Sequence, residues 1–268
     1  IAATRASEKY HAWTVYSSDT GQVSADQDFV ETYYDPEGLA FYGDGDRLVT
    51  LDDRGRVSLW DVKSQKIIAG IDLPGGAADR LKDPASKDPY GTALQMVDGP
   101  DKVPREGQDF RSMSVDASRN LVAICNDRGE ATLLRFDQKE ESFRELFSWQ
   151  AHNGPCTAIR IMPVGDEIVT GGWDGAIAVW DVARLAIRTT SEPLIVRQDR
   201  SPLVQIFETG FRVNDLSVSA DGRLVAAAVS IDIAELDPKI AKRIEAGDPG
   251  PVAPGNGVLV YDLDGSDE

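Results

Sequence analysis

The residues that most often carry chemistry are scarce in this chain. It has two histidines, His11 and His152, and no H-x-H or H-x-x-x-H spacing, which removes the common histidine-built metal sites. The two cysteines, Cys125 and Cys156, make no disulfide framework. Both lie in or beside predicted strands and read as small buried hydrophobes. No apolar run is long enough to cross a membrane as a helix, and the first residues show no charged-then-apolar leader pattern. Basic residues are few: 28 against 45 acidic ones, a net charge of −17 over 268 residues. Repulsion from phosphate therefore disfavours nonspecific binding to nucleic acid or anionic lipid, so neither nucleic acid nor membrane is an expected partner. Stretches of helical period are almost absent.

What the chain has is short strands and tight turns. The stretch Gly154–Val182 reads GPCTAIRIMPVGDEIVTGGWDGAIAVWDV. Thr157–Met162 alternates and is β-branched, Pro163, Gly165 and Asp166 supply a turn, and Glu167–Thr170 is a second apolar strand. Gly171–Gly175 is a tight turn and Ala176–Trp180 a third strand. A fourth strand is expected at Leu185–Thr189. A sheet of four such strands has two apolar faces and needs neighbours on both.

The neighbours are copies. RLVTLDDRGRVSLWDV (Arg47–Val62), NLVAICNDRGEATLLRF (Asn120–Phe136), and GRLVAAAV (Gly222–Val229) followed by GVLVYDL (Gly257–Leu263) repeat the pattern. WTVYSSDTGQ (Trp13–Gln22) is the back half of another copy. The recurring third-strand position holds Tyr16, Trp60, Leu134, Trp180 and Tyr261. Its spacing is 44 residues from Tyr16 to Trp60 and 46 from Leu134 to Trp180. Four strands per unit and a period in the forties indicate a β-propeller.

The VWDV and LWDV endings, the GGWDG turn and the preceding AH resemble WD-repeat propellers. The resemblance covers nearly the whole chain, with one repeat close to consensus and the others degenerate. It implies that His152, Thr170, Asp174 and Trp180 share a buried hydrogen-bond network, a requirement that also follows from burying an indole N–H, an imidazole and a carboxylate together. Thr50 and Trp60 recur in the second copy, but Arg54 stands where the aspartate belongs. The third copy has Ile124, Arg128 and Leu134, so both blades are expected to rest more on apolar packing. The resemblance further implies that partners dock on the face formed by the second turns, where Trp173 precedes the aspartate and Asp53 and Asp127 are the counterparts. Trp173 is either an exposed anchor or a ring packed on the next blade.

The expected fold class is therefore all-β: a β-propeller of four-stranded antiparallel blades, about five present with the first and last incomplete, in an open arc. The whole chain, 1–268, reads as one partial propeller domain. Blades fall at about 1–35, 36–73, 109–150, 151–190 and 210–268, with insertions at 74–108, 191–209 and 231–256. Ile1–Ser7 reads as a second strand, Trp13–Ser17 as a third and Asp28–Tyr33 as a fourth, with Ser18–Gln27 as an edge loop. The first insertion, Pro74–Gln108, holds five of the 14 prolines and one candidate strand, Ala93–Val97. In the second, SPLVQIF is open between a hairpin and an extended outer strand. In the third, Asp237, Pro238, Ile240, Ile244 and Gly247 mark a two-turn helix. Because the first sheet lacks its innermost strand and the last its outermost, the chain reads as a piece of a larger propeller, with the remaining blades of the same chain among its partners.

Three functions compete. The first is a non-catalytic scaffold that binds a protein or peptide partner on the loop face, without cofactor or metal. The second is a sensor propeller fused to an effector domain such as a protease or kinase. The third is an enzyme with a site in the central channel. The inner strands offer only scattered Arg111, Arg160 and Asp215 for the last, and no repeated ligand set emerges.

Overall fold

Alternating apolar runs of five to nine residues, separated by glycine turns, cannot bury a face alone and pair in antiparallel order. The structure, a computed structural model, describes residues 2–6, 11–20, 22–28, 36–52, 55–73, 110–185, 201–230 and 257–263. Among them are 18 strands in five sheets. The first sheet is β1 (Ala2–Ala6), β2 (His11–Tyr16) and β3 (Val23–Asp28). The second is β4 (Pro36–Tyr42), β5 (Arg47–Asp52), β6 (Arg56–Asp61) and β7 (Lys66–Asp72). The third is β8 (Phe110–Asp116), β9 (Leu121–Asn126), β10 (Glu130–Asp137) and β11 (Ser142–Gln150). The fourth is β12 (Cys156–Ile161), β13 (Glu167–Gly172), β14 (Ala176–Asp181) and β15 (Leu203–Glu208). The fifth is β16 (Arg212–Val218), β17 (Leu224–Ser230) and β18 (Gly257–Asp262). In every sheet the strands lie side by side in chain order, the meander of a propeller blade. The fold is all-β, built of propeller blades.

Irregularities recur at the same blade positions. The register between third and fourth strands shifts at Val15/Tyr16, Leu59/Trp60 and Val179/Trp180. This shift identifies β2 as a third strand and β3 as a fourth. Register between first and second strands shifts at Pro36/Gly38, Cys156/Ala158 and Val213/Asp215. Each shift is a bulge that bends a strand and sharpens its twist.

The described residues fall into two compact units, Ile1–Arg111 with Phe136–Arg144, and Ser112–Arg135 with Glu145–Glu268. In the first, Trp13, Val15, Leu48 and Trp60 form a core cluster, with the two indoles edge to face at 5.8 Å. In the second, the β12–β15 sheet is apolar on both faces. Cys156, Ile159, Ile168, Ala178 and Trp180 pack against Ala123, Cys125, Leu133 and Phe147 of the third sheet. Ala158, Val169, Ile177 and Val179 pack against Val213, Leu216, Val225 and Val229 of the fifth. Each large aliphatic side chain so buried contributes about 1.5–3 kcal/mol. Both cysteines are buried free thiols, and burial pushes the Cys125 thiol up, away from the reactive thiolate.

Two strand positions differ from expectation. The fourth strand of the β12–β15 sheet is not Leu185–Thr189: residues 182–185 form a helical turn, and β15 takes the outer edge, pairing Ala176 with Glu208 and Trp180 with Leu203. The segment read as insertion 191–209 thus gives its second apolar run to the blade. In the first sheet the strand that pairs with β2 is Val23–Asp28, so half of the expected edge loop, 18–27, is strand, and residues 29–33 of the expected fourth strand lie outside the described residues. The polar VSADQD sequence of β3 carries little apolar alternation to announce it. The insertions 74–108 and 231–256, with their candidate strand and helix, lie outside the described residues, as do Asp53 and Arg54.

Candidate interaction surface

The site is built on the turns that join second to third strands. In all three complete sheets this turn closes the same way: Gly55, Gly129 and Gly175 donate their N–H to the carbonyls of Asp52, Asn126 and Gly172. Each glycine has φ near +80°, a conformation that other residues resist. Its carbonyl then accepts an N–H from the segment leaving the fourth strand, from Leu73, Ala151 and Thr209 respectively. The turn is thus tied to the chain on its way to the next sheet.

In the β12–β15 sheet the turn carries a four-residue hydrogen-bond chain. Trp180 Nε1 donates to Thr170 Oγ1 at 2.8 Å. Thr170 Oγ1 lies 2.9 Å from His152 Nε2, and His152 Nδ1 lies 2.9 Å from Asp174 Oδ1. Because Thr170 already accepts from the indole, its hydroxyl proton is directed at His152 Nε2, and the imidazole carries its proton on Nδ1 and donates it to Asp174. Asp174 also accepts the N–H groups of Asn153 and Ala176. Burial works to raise the Asp174 carboxyl, but the hydrogen bond from His152 and the two backbone donors outweigh it and hold it below the ordinary range. His152 fits because position 172 is glycine: a Cβ there would sit 2.6 Å from the imidazole.

The chain of threonine hydroxyl, imidazole and carboxylate has the connectivity of a nucleophile triad. Its surroundings oppose that use. Thr170 is fully buried and His152 nearly so, and the threonine oxygen is also held by the indole. What the arrangement does is fix the turn, the segment at His152 and the third strand to one another.

Trp173 stands at the tip of that turn. It is 42% exposed, its N–H donates to Pro155 O, and the Arg212 guanidinium lies over its ring at 4.9 Å. One ring face is thus covered by the first residue of β16, and the remainder is open to solvent. Asp127 occupies the matching turn position of the third sheet and is partly buried. Asp53, the counterpart in the second sheet, is outside the described residues.

Other sheets depart from the His152 pattern in ways the sequence reading missed. Trp60 Nε1 donates to Thr50 Oγ1 at 3.0 Å, so the second blade does not rest on packing alone. Capping of the turn moves two residues back: Asp52 accepts from Arg56 N–H, and Asn126 accepts from Arg128 and Glu130. In the third sheet Ile124 and Leu134 are fully buried apolar replacements. Away from the loop face, Arg119 pairs with Asp116 and donates to the carbonyls of Met162 and Gly165, clamping the first turn of the β12–β15 sheet to that of the third. On the inner strands Arg160 pairs with Asp215 and donates to Ser112 Oγ. Both are spent on bonds between sheets, while Arg111 is exposed on β8.

Residues 143–181 match the model of the family described as WD domain, G-beta repeat. The match runs from β11 through β14, so a sequence repeat takes the fourth strand of one sheet and the first three of the next. The chain is 29% identical over 171 residues to a guanine nucleotide-binding protein subunit beta of Saccharomyces cerevisiae, covering 62% of this chain and 39% of that one. It is 29% identical over 83 residues to restriction of telomere capping protein 1 of Candida albicans, 30% of this chain and 8% of that protein. A third relative is DmX-like protein 1 of Mus musculus, 30% identical over 113 residues, 40% of this chain and 4% of that one. The chain thus spans well under half the length of each relative. It carries one match to the WD repeat, at 143–181, with degenerate copies of the same blade on either side.

Proposed function

We propose that this protein is a non-catalytic scaffold that holds a protein or peptide partner on the loop face of its blades, with Trp173 as the central anchor. The observation that carries the reading is the contrast at one turn. Asp174 is locked by three donors, while its neighbour Trp173 keeps 42% of its surface open. A large aromatic side chain on a turn tied down in this way loses little entropy when a partner covers it. Arg212, stacked on the ring, adds a cation at the rim of a chain that is otherwise strongly acidic. The burial of Thr170 and the pairing of Arg160 with Asp215 also favour binding over chemistry, since they leave the reactive groups of this region committed to the fold. One relative is by its name a subunit, a part of an assembly.

The test is selection of peptides from a display library on the purified protein. Selected peptides are expected to lose at least about tenfold in affinity against Trp173→Ala, the size of an ordinary hot-spot truncation, while the melting temperature stays where it was. Equal binding by the variant removes Trp173 from the reading. Turnover in a hydrolase, lyase or dehydrogenase panel that is lost on His152→Ala at unchanged melting temperature overturns the scaffold itself.

A further inference from the structure

Asn153 stands directly before Gly154 and is exposed, in the segment that leads from β11 into β12. Asparagine is a chemically labile side chain. Its carboxamide carbon can close a five-membered ring with the main-chain nitrogen of the next residue. A side chain on that next residue hinders the approach, and glycine has none. Asn120, Asn126 and Asn214 are instead followed by Leu121, Asp127 and Asp215.

The structure adds to what the dipeptide says. Asn153 N–H donates to Asp174 Oδ2 at 2.9 Å, and Trp173 N–H donates to Pro155 O at 2.9 Å. These two ties bracket the pair. Among the described residues, neither the Asn153 carboxamide nor the Gly154 N–H between them makes a hydrogen bond. The other asparagine side chains are engaged: Asn126 Oδ1 accepts from Arg128 and Glu130 and its Nδ2 donates to Glu130, and Asn214 Nδ2 donates to Ser230 Oγ. Nor does the backbone at 154 demand glycine. Its φ is outside the left-handed region, and a Cβ there would meet nothing nearer than Asp174 N, at 4.0 Å.

We propose that Asn153 is a site of spontaneous deamidation, through which the loop face is covalently altered as the protein ages. The Gly154 nitrogen gives up its proton and bonds to Asn153 Cγ, the Cγ–Nδ2 bond breaks, and the side-chain nitrogen leaves as ammonia. Water then opens the cyclic imide. Attack at Cγ gives aspartate. Attack at the Asn153 main-chain carbonyl carbon gives isoaspartate, whose main chain runs through Cβ and Cγ. Asparagine and water thus become one of two acids and ammonia, with no electrons exchanged.

Both products act on the two ties. Aspartate sets a second carboxylate beside Asp174, whose Oδ2 already holds the N–H of the same residue, and like charges repel. Isoaspartate lengthens the main chain by one carbon between that N–H and the Pro155 carbonyl, which strains the ties against each other and loosens the turn at Trp173. The inference stands on the chemistry of residues 153 and 154 and does not depend on a partner binding at Trp173.

The test incubates the folded protein at neutral pH and physiological temperature. The peptide spanning 153–154 is then followed by mass spectrometry and by isoaspartate-specific methylation. Asn153 is expected to convert to aspartate and isoaspartate while Asn126 and Asn214 stay intact. In Gly154→Ala, which the space at 154 admits, conversion is expected to be at least about tenfold slower. The urea-unfolded parent, run in parallel, gives the rate without structure, so the outcome does not depend on the variant folding. Folded protein that keeps Asn153 intact while the unfolded chain converts overturns the proposal. So does conversion of Gly154→Ala at the parent's rate with its melting temperature unchanged. Amide exchange at Trp173 is expected to quicken in the aged fraction, and exchange equal to that of fresh protein overturns the link to the turn.

Discussion

Trp60 reaches across from β6 to β5 and donates its indole N–H to the Thr50 hydroxyl. The same bond joins Trp180 to Thr170, but Thr50 accepts it without an aspartate at the position of Asp174, since Arg54 stands there in the sequence. The tryptophan–threonine pair is thus separable from the histidine and aspartate that extend it in the fourth sheet.

Replacing either indole should separate ring from hydrogen bond. Trp180→Ala and Trp60→Ala each cost about 3–5 kcal/mol, the range for truncating a buried aromatic. Trp180→Phe keeps most of the ring yet leaves the fully buried Thr170 short of a donor, and it should cost about 1–3 kcal/mol. Trp60→Phe should cost less, because Thr50 is only partly buried. Urea denaturation gives the order, and a larger loss for Trp60→Phe would reverse the argument.

Asp174 predicts an acid limb. Its carboxyl is held below the ordinary range in the folded state, so the unfolded chain takes up its proton first as pH falls. The stabilisation is complete above the unfolded value, about 3.9, and fades as pH drops through the lower folded value. Asp174→Asn should therefore be destabilised at neutral pH, and its gap from the parent should narrow below pH about 4. A gap in melting temperature that is constant from pH 7 to 3 would show that the carboxylate charge is not what the network uses.

Gly172→Ala should destabilise by about 1–3 kcal/mol, the usual cost of overpacking, because the new methyl meets the His152 ring. Removing that ring makes room. In the His152→Ala background the same methyl should cost measurably less, with the remainder due to Asp174 Oδ1, which stands 2.8 Å from the Cβ position. Strict additivity in the double-mutant cycle would count against the packing account.

Much of this was legible in the sequence, and the reason is periodicity. GGWDG and VWDV repeat in LWDV and in NDRGE, so strand order and turn position could be read by aligning the chain with itself. Outer strands were harder. β15 lies beyond residues 186–200 and its LVQIFE alternation says strand without saying whose, since pairing across a long connection leaves no local trace. β3 is nearly all polar, because an outer strand need not bury both faces. The Arg119 clamp was illegible for a different reason. Its acceptors are the main-chain carbonyls of Met162 and Gly165, and a carbonyl belongs to every residue alike.

That clamp carries its own prediction. Arg119→Ala should cost about 1.5–3 kcal/mol, the range for charge-assisted hydrogen bonds, and should raise amide exchange in the turn around Gly165. Arg119→Lys should restore little of it, since an ammonium cannot span two carbonyls and Asp116 with one rigid fork. Full recovery by lysine would reduce the clamp to simple charge.

The family match begins on β11 and ends on β14, so the sequence repeat is one strand out of step with the sheet of the fold. Duplicating such a segment inserts a fourth strand for the sheet before it and three strands that borrow their own fourth from the segment after. The sheets on either side of the inserted segment keep four strands each. A gene organised this way can gain or lose blades by unequal crossing-over without passing through an ancestor that has a half-built sheet at the junction. Copies cut at the sheet boundaries would place the junction between one sheet and the next, where no main-chain ladder holds the newcomer to its neighbour.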